Sequence, residues 1–238
     1  NLGVIGLFIL GLAYGILNEG VLAQTLFMTG QQVPISAFIG YSKFGINLPW
    51  TATILPWHAL HSIIYPLAIL YTLYPQESTR PRFSKIALIV MALFYFVIGT
   101  LVYINPARGG TTFHLLLSWG FIVGLIVLAK FCPRQTRIGW PQEGQADKKP
   151  SVIGGLLTGC PLMLFLIVPM VIASTHIPTV IQLLINGGLY VFVYWLFKTK
   201  NYFALPVFAL IALGHYFAHA LLGTAIVWKD MDRLRGEA

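Results

Sequence analysis

Five side chains able to carry acid–base or metal chemistry fall inside stretches that are otherwise apolar: Glu19, His58, His61, His215 and His219. Glu19 is the one acidic residue in any membrane-length apolar run, within Gly11-Leu-Ala-Tyr-Gly-Ile-Leu-Asn-Glu-Gly20. A carboxylate at that depth costs about 3 kcal/mol on insertion scales, so it is held protonated, paired or bound to a cation, and it marks a functional site by default. His58 and His61 are three residues apart and His215 and His219 four apart, so each pair shares a helix face. Two imidazoles on one face with a third ligand from elsewhere leave a coordination position open, as catalytic zinc or another transition metal requires. Glu19 then serves as ligand or as the general base acting on bound water.

Three other uses of the same residues compete with a metal-dependent hydrolase. Glu and His at membrane depth form proton or cation relays, which makes a transporter or proton-coupled permease the main alternative. Histidines on facing helices also hold haem. The plainest alternative is polar packing, in which each membrane hydrogen bond is worth about 0.6 kcal/mol. Ser62, next to His61, has no acid beside it in the sequence to complete a nucleophilic triad, so a serine hydrolase is not expected. Gln182, Asn186 and Gly187-Gly188 read as a packing face, and Asn105-Pro-Ala-Arg-Gly-Gly-Thr-Thr112 as a tight turn.

These residues need helices to position them, and the chain supplies little else. Of its 238 residues 57% are hydrophobic and 9% charged, against about 25% charged in soluble domains. The expectation is an all-α, polytopic transmembrane bundle of about seven helices in one domain, 1–238. Apolar runs near 2–27, 51–74, 84–104, 112–132, 152–174, 177–198 and 203–228 each reach the roughly 20 residues that cross a bilayer core. The segment near 33–48 is apolar and aromatic but broken by Gly40 and Gly45. It reads as interfacial or re-entrant, with Tyr41, Trp50 and Trp57 as headgroup anchors. At about 1.5 Å of rise per residue, Glu19 and the four helix histidines fall in one layer of the outer half of the membrane, with His114 and His176 at helix ends on the same side.

The net charge of +8 does not mark a nucleic-acid binder, because the basic residues lie between apolar runs and form no basic face. They report topology instead. Arg80, Arg82, Lys85, Lys130, Arg134, Arg137, Lys148, Lys149, Lys198 and Lys200 cluster in alternate connections, which places the N-terminus in the cytoplasm and the C-terminus outside. Cys132 and Cys160 stand in no metal or redox spacing. The chain opens on Asn1 with no basic segment ahead of its first apolar run, and a preceding segment is expected. The partners expected are the lipid bilayer and a lipid-linked or membrane-peptide substrate.

Three stretches carry a resemblance. Tyr14-Gly-Ile-Leu-Asn-Glu-Gly20, Tyr41-Ser-Lys-Phe-Gly-Ile-Asn-Leu-Pro-Trp50 and His58-Ala-Leu-His-Ser-Ile-Ile-Tyr-Pro66 resemble a group of uncharacterised prokaryotic multi-pass membrane proteins. That group carries Tyr-Gly-x-x-Glu-Glu-Gly and His-Ala-x-x-Ser-Ile-x-x-Pro stretches. The resemblance covers the first third of the chain, implies a membrane bundle, and carries over Glu19, His58, Ser62 and Pro66. Asn18 stands where the group has the first Glu of a pair, and His61 where it has an apolar residue. More distantly, intramembrane Glu with His-containing helices is similar to CAAX-processing and PrsW-type intramembrane proteases, although Ala23 stands where their Glu-Glu-x-x-x-Arg signature has Arg. That analogy implies hydrolysis at a membrane-embedded site.

Overall fold

The computed structural model describes residues 4–28, 42–74, 84–104, 110–132, 153, 159–160, 178–199, 209–218 and 220–221. Among them four helical stretches are long and apolar enough to cross a membrane: Ile5–Leu22, Leu48–Tyr71, Lys85–Tyr103 and Thr112–Phe131. Helices over Thr179–Thr199 and Ala209–Ala218 add to them. The chain is an all-α membrane helix bundle. Most of the run at 152–174, with His176, His219 and Tyr41, lies outside the described residues.

The first span is α1 (Val4–Gly15) prolonged by a wide π turn over Ile16–Leu22. There the Ala23 N–H reaches back five residues to Asn18 C=O, at 2.7 Å. The span ends at Leu22, five residues before the apolar run does, because Gln24 adopts a left-handed backbone at φ 57° and reverses the chain into a short 3-10 turn, Thr25–Phe27. Such a conformation costs a non-glycine residue about 1–3 kcal/mol and persists where its surroundings fix it. Here the buried Gln24 amide does so, donating to Val102 C=O at 3.4 Å and accepting from Gly110 N–H at 3.2 Å.

The second span is the hub. It starts at Leu48, not 51, because a two-stranded hairpin, β1 (Ser42–Lys43) against β2 (Ile46–Asn47), delivers the chain to it. The hairpin turn places Phe44 and Gly45 at positive φ, as a two-residue turn matched to strand twist demands. Asn47 then caps α2 (Leu48–His58), accepting from Trp50 N–H at 3.1 Å. A second π turn, Ala59–Ile64, joins α2 to α3 (Tyr65–Leu73). Within its membrane-crossing stretch 56% of residues are buried, against 6% for the third span. The latter, α4 (Lys85–Ile104), therefore sits at the rim with its apolar side chains outward.

Close packing and proline chemistry join the other helices to this hub. A Cβ on Gly11 would lie 2.5 Å from Ala59 Cα, so the first two spans touch backbone to backbone, as small residues permit in membranes. The first span also packs against α5 (Thr112–Phe131), whose N-terminus carries a capping box of Thr111 and His114. Pro56 has no N–H and leaves Ala52 C=O without its helical donor, and the Tyr190 hydroxyl of α6 (Thr179–Thr199) donates to that carbonyl at 3.3 Å. Pro66, ten residues on, does the same. In the five-residue register set by Tyr65 N–H and Leu60 C=O, it should supply the donor for His61 C=O, and the Tyr216 hydroxyl of α7 (Ala209–Ala218) donates there instead, at 2.8 Å. Buried Asn186 adds a hydrogen bond to Thr53 Oγ1 at 3.2 Å. The core against α7 comprises Leu60, Ile64, Tyr65, Ala68, Ile211 and Ala212.

Candidate acid–base site

Each π turn carries polar residues, Asn18 and Glu19 on the first and His61 and Ser62 on the second, with His58 the last residue of α2 directly before it. A π turn inserts one residue and rotates those beyond it, and such turns recur at functional sites. Here they bring Glu19 against His58, with Oε1 2.9 Å from Nε2. The Asn18 amide nitrogen lies 3.2 Å from the same ring atom. On the other side of the ring, Nδ1 is 3.2 Å from Ser62 Oγ. The side chains of His58 and Glu19 are 6% and 12% exposed, so each is almost wholly removed from solvent and relies on these partners.

The direction of the hydrogen bonds follows from the far end of the string. Indole N–H donates and cannot accept. Trp50 Nε1 lies 3.0 Å from Thr25 Oγ1, so that hydroxyl oxygen accepts from it. Thr25 gives its own proton to Glu19 Oε2, to which it is hydrogen-bonded. Glu19 is therefore an acceptor at Oε2, and Oε1 is left to face His58. An ionised Glu19 accepts from His58 Nε2–H at Oε1; the Asn18 amide nitrogen, itself a donor, then makes no hydrogen bond to that ring atom, and Nδ1 carries the lone pair that accepts from Ser62 O–H. Carboxylate, imidazole and hydroxyl then stand in the order of an acid, a base and a nucleophile. Ser62, for which the sequence shows no acid nearby, has one here through His58. The acid comes from a different span, and proximity along the chain could not reveal it.

His61 and His215 form a second centre. Their Nε2 atoms lie 3.2 Å apart. His215 is fully buried, with Nδ1 2.9 Å from the Tyr65 hydroxyl. Trp57 separates the two centres, stacked on His61 at a centroid distance of 4.7 Å and edge-on to His58 at 5.1 Å. The single layer of Glu19 with four histidines thus divides. Glu19 and His58 meet, His61 and His215 meet, and His219 lies outside the described residues. Both ring nitrogens of His58 lie within hydrogen-bond distance of side chains, Nε2 of Glu19 and Nδ1 of Ser62. Among the described residues no three His, Cys, Asp or Glu side chains gather as a metal-holding group. Two imidazoles on one tetrahedral metal, at about 2.0–2.1 Å each, hold their nitrogens roughly 3.3 Å apart, a separation that His61 and His215 match.

Other sequence readings resolve differently. Trp50, read as an interfacial anchor, is 5% exposed and packs among Leu26, Phe27 and Ile54. Its indole is committed to Thr25. His114 belongs to neither centre: its Nδ1 accepts from Thr111 N–H at 3.2 Å, its Nε2 donates to Phe44 C=O at 3.0 Å, and its ring stacks on Phe27. Thr25, Tyr65 and Tyr216 were not singled out by sequence. The available signal was the placement of Tyr65 directly before Pro66.

A family model described as an uncharacterized membrane protein family matches residues 1–227, in agreement with the resemblance in the first third of the chain. No curated protein and no solved structure matches the chain.

Proposed function

We propose that this chain, which belongs to that uncharacterized membrane protein family, is a membrane-embedded hydrolase in which Glu19 and His58 form the general-base pair. The observation that supports this most is the one-way string Trp50, Thr25, Glu19, His58, Ser62, which leaves a basic imidazole nitrogen against a hydroxyl. Such a base contributes about 10²–10⁴ in rate when it takes a proton in the transition state. The substrate is a lipid-linked molecule or a membrane peptide, since the pair lies within the apolar spans. By the Lys and Arg distribution the N-terminus faces the cytoplasm, the C-terminus faces outward, and the site lies in the outer half of the bilayer. The same string suits a proton pathway less well, because it ends on an indole that cannot accept a proton.

The test is turnover of fluorogenic lipid esters and acylated membrane peptides by protein in nanodiscs. Glu19→Gln and His58→Gln should each lower turnover by about 100-fold or more, and unchanged turnover in both contradicts the proposal.

A second reading rests on the 3.2 Å separation of the His61 and His215 nitrogens: a transition metal such as zinc bound there, with Tyr65 orienting His215 as outer-shell partners do. His219, four residues after His215, is the further ligand that the sequence offers. Titration with cobalt(II) distinguishes this from a plain hydrogen bond. A visible ligand-field band lost in His215→Gln supports the metal, and no band in the wild-type protein removes it.

A further inference from the structure

We infer that Ser62 is the nucleophile of this site and carries the acyl group of the substrate as a covalent ester, an inference that rests on the hydrolase reading above. A serine or threonine inside a helix usually donates back to the carbonyl four residues earlier. Thr51, Thr53 and Thr100 all do so, to Asn47, Pro49 and Phe96 at 2.7, 2.9 and 2.8 Å. Ser62 stands four residues after His58, and its hydroxyl lies 3.2 Å from the His58 ring nitrogen. It sits in the π turn, where the backbone register shifts to five residues, and the hydroxyl meets a base. Trp50, Thr25 and His58 are buried, whereas Ser62, like Glu19, is only partly buried, so the hydroxyl end of the string lies nearer the outside than the base it faces. Beside it Tyr14 packs edge-on against His58, with ring centroids 5.7 Å apart, and is itself 39% exposed.

The substrate class is a carboxylic ester or amide whose carbonyl reaches membrane depth. His58 Nδ1 takes the Ser62 Oγ proton as Oγ bonds to the carbonyl carbon. The bond from that carbon to the leaving oxygen or nitrogen then breaks, and the leaving group departs with the proton from Nδ1. Water next gives a proton to Nδ1 and its oxygen bonds to the acyl carbon. The carbon–Oγ bond breaks, Ser62 regains a proton, and a carboxylic acid is released. Glu19 stabilises the imidazolium formed in each half and holds the ring in the tautomer required.

The test is labelling of the full chain in nanodiscs with a fluorophosphonate, which loses fluoride to an activated serine, with the adduct located by peptide mass spectrometry. The expected result is one adduct, on Ser62, absent in Ser62→Ala and slowed at least tenfold in Glu19→Gln. Turnover of the fluorogenic lipid ester should fall in parallel in Ser62→Ala. An adduct elsewhere overturns the inference. So does a wild-type protein that resists labelling while hydrolysing ester in a Glu19- and His58-dependent way, and in that case water is the nucleophile and the hydrolase reading stands. Absence of both labelling and turnover overturns the two together. Ser62→Cys guards against a folding defect in the alanine variant: its thiol should be alkylated by iodoacetamide faster than Cys132 or Cys160, and equal rates count against an activated position.

Discussion

His58 and His61 sit three residues apart on one span and live in opposite kinds of surroundings. His58 faces the first span, where it meets a carboxylate and an amide, and Ser62 Oγ lies at its other ring nitrogen; the donor-only indole of Trp50 makes Glu19 Oε2 an acceptor through Thr25. His61 faces α7, where it meets another imidazole, with Trp57 stacked on it and its own carbonyl held by Tyr216. The first centre contains an acid, a base and a hydroxyl. The second joins two imidazoles and a tyrosine hydroxyl, and its bonds tie the last described helix to the hub. Polar groups buried in the same bundle therefore keep different company: a carboxylate and a hydroxyl at His58, a second imidazole and a tyrosine hydroxyl around His61 and His215.

That division can be broken most sharply at the carboxylate. Glu19→Gln keeps the shape of the side chain but removes the charge, so turnover should fall by about 10²–10⁴ while the unfolding midpoint in detergent changes little; matching losses in both measurements erase the distinction. Gly11→Val comes next, since any Cβ there meets Ala59 backbone at 2.5 Å. Overpacking of this kind costs about 1–3 kcal/mol, and because Gly11 supports the span carrying both histidines, stability and turnover should drop together. His215→Leu strands the Tyr65 hydroxyl and the His61 ring, a loss of about 1–3 kcal/mol, read as a lower unfolding midpoint with residual turnover within tenfold of wild type. The smallest effect is expected for Tyr190→Phe, which removes the donor to the carbonyl freed by Pro56 and should cost about 0.6 kcal/mol. A loss as large as that of His215→Leu in the same denaturation series contradicts the view that Tyr190 only repairs a proline.

The spans were legible because length and apolarity are properties of composition alone. Their ends were less so. The first span stops at Leu22 because Gln24 reverses the chain in a left-handed conformation, and no rule of composition puts a glutamine there; its hold on Val102 and Gly110 comes from distant segments. Glu19 and His58 stood out as polar residues in apolar runs, and matching depths made their meeting conceivable. The π turns were invisible, since they change register by one residue without altering the apolar pattern. They decide which faces Glu19 and Ser62 present, and so the role of Ser62 could not be read. The contact of Trp50 with Thr25 was hidden for a related reason: an aromatic at the start of a span reads as an interfacial anchor, and the inward turn of its indole follows the hairpin at 42–47 and the cap at Asn47.

The account stands on the tautomer of His58, which nitrogen-15 NMR of histidine-labelled protein in lipid measures directly, with His58→Gln supplying the assignment. A protonated Nε2 and an unprotonated Nδ1 at neutral pH are predicted, the second being the lone pair that faces Ser62. A proton resident on Nδ1 contradicts the account, because the imidazole would then donate to the hydroxyl and hold no base with which to activate it.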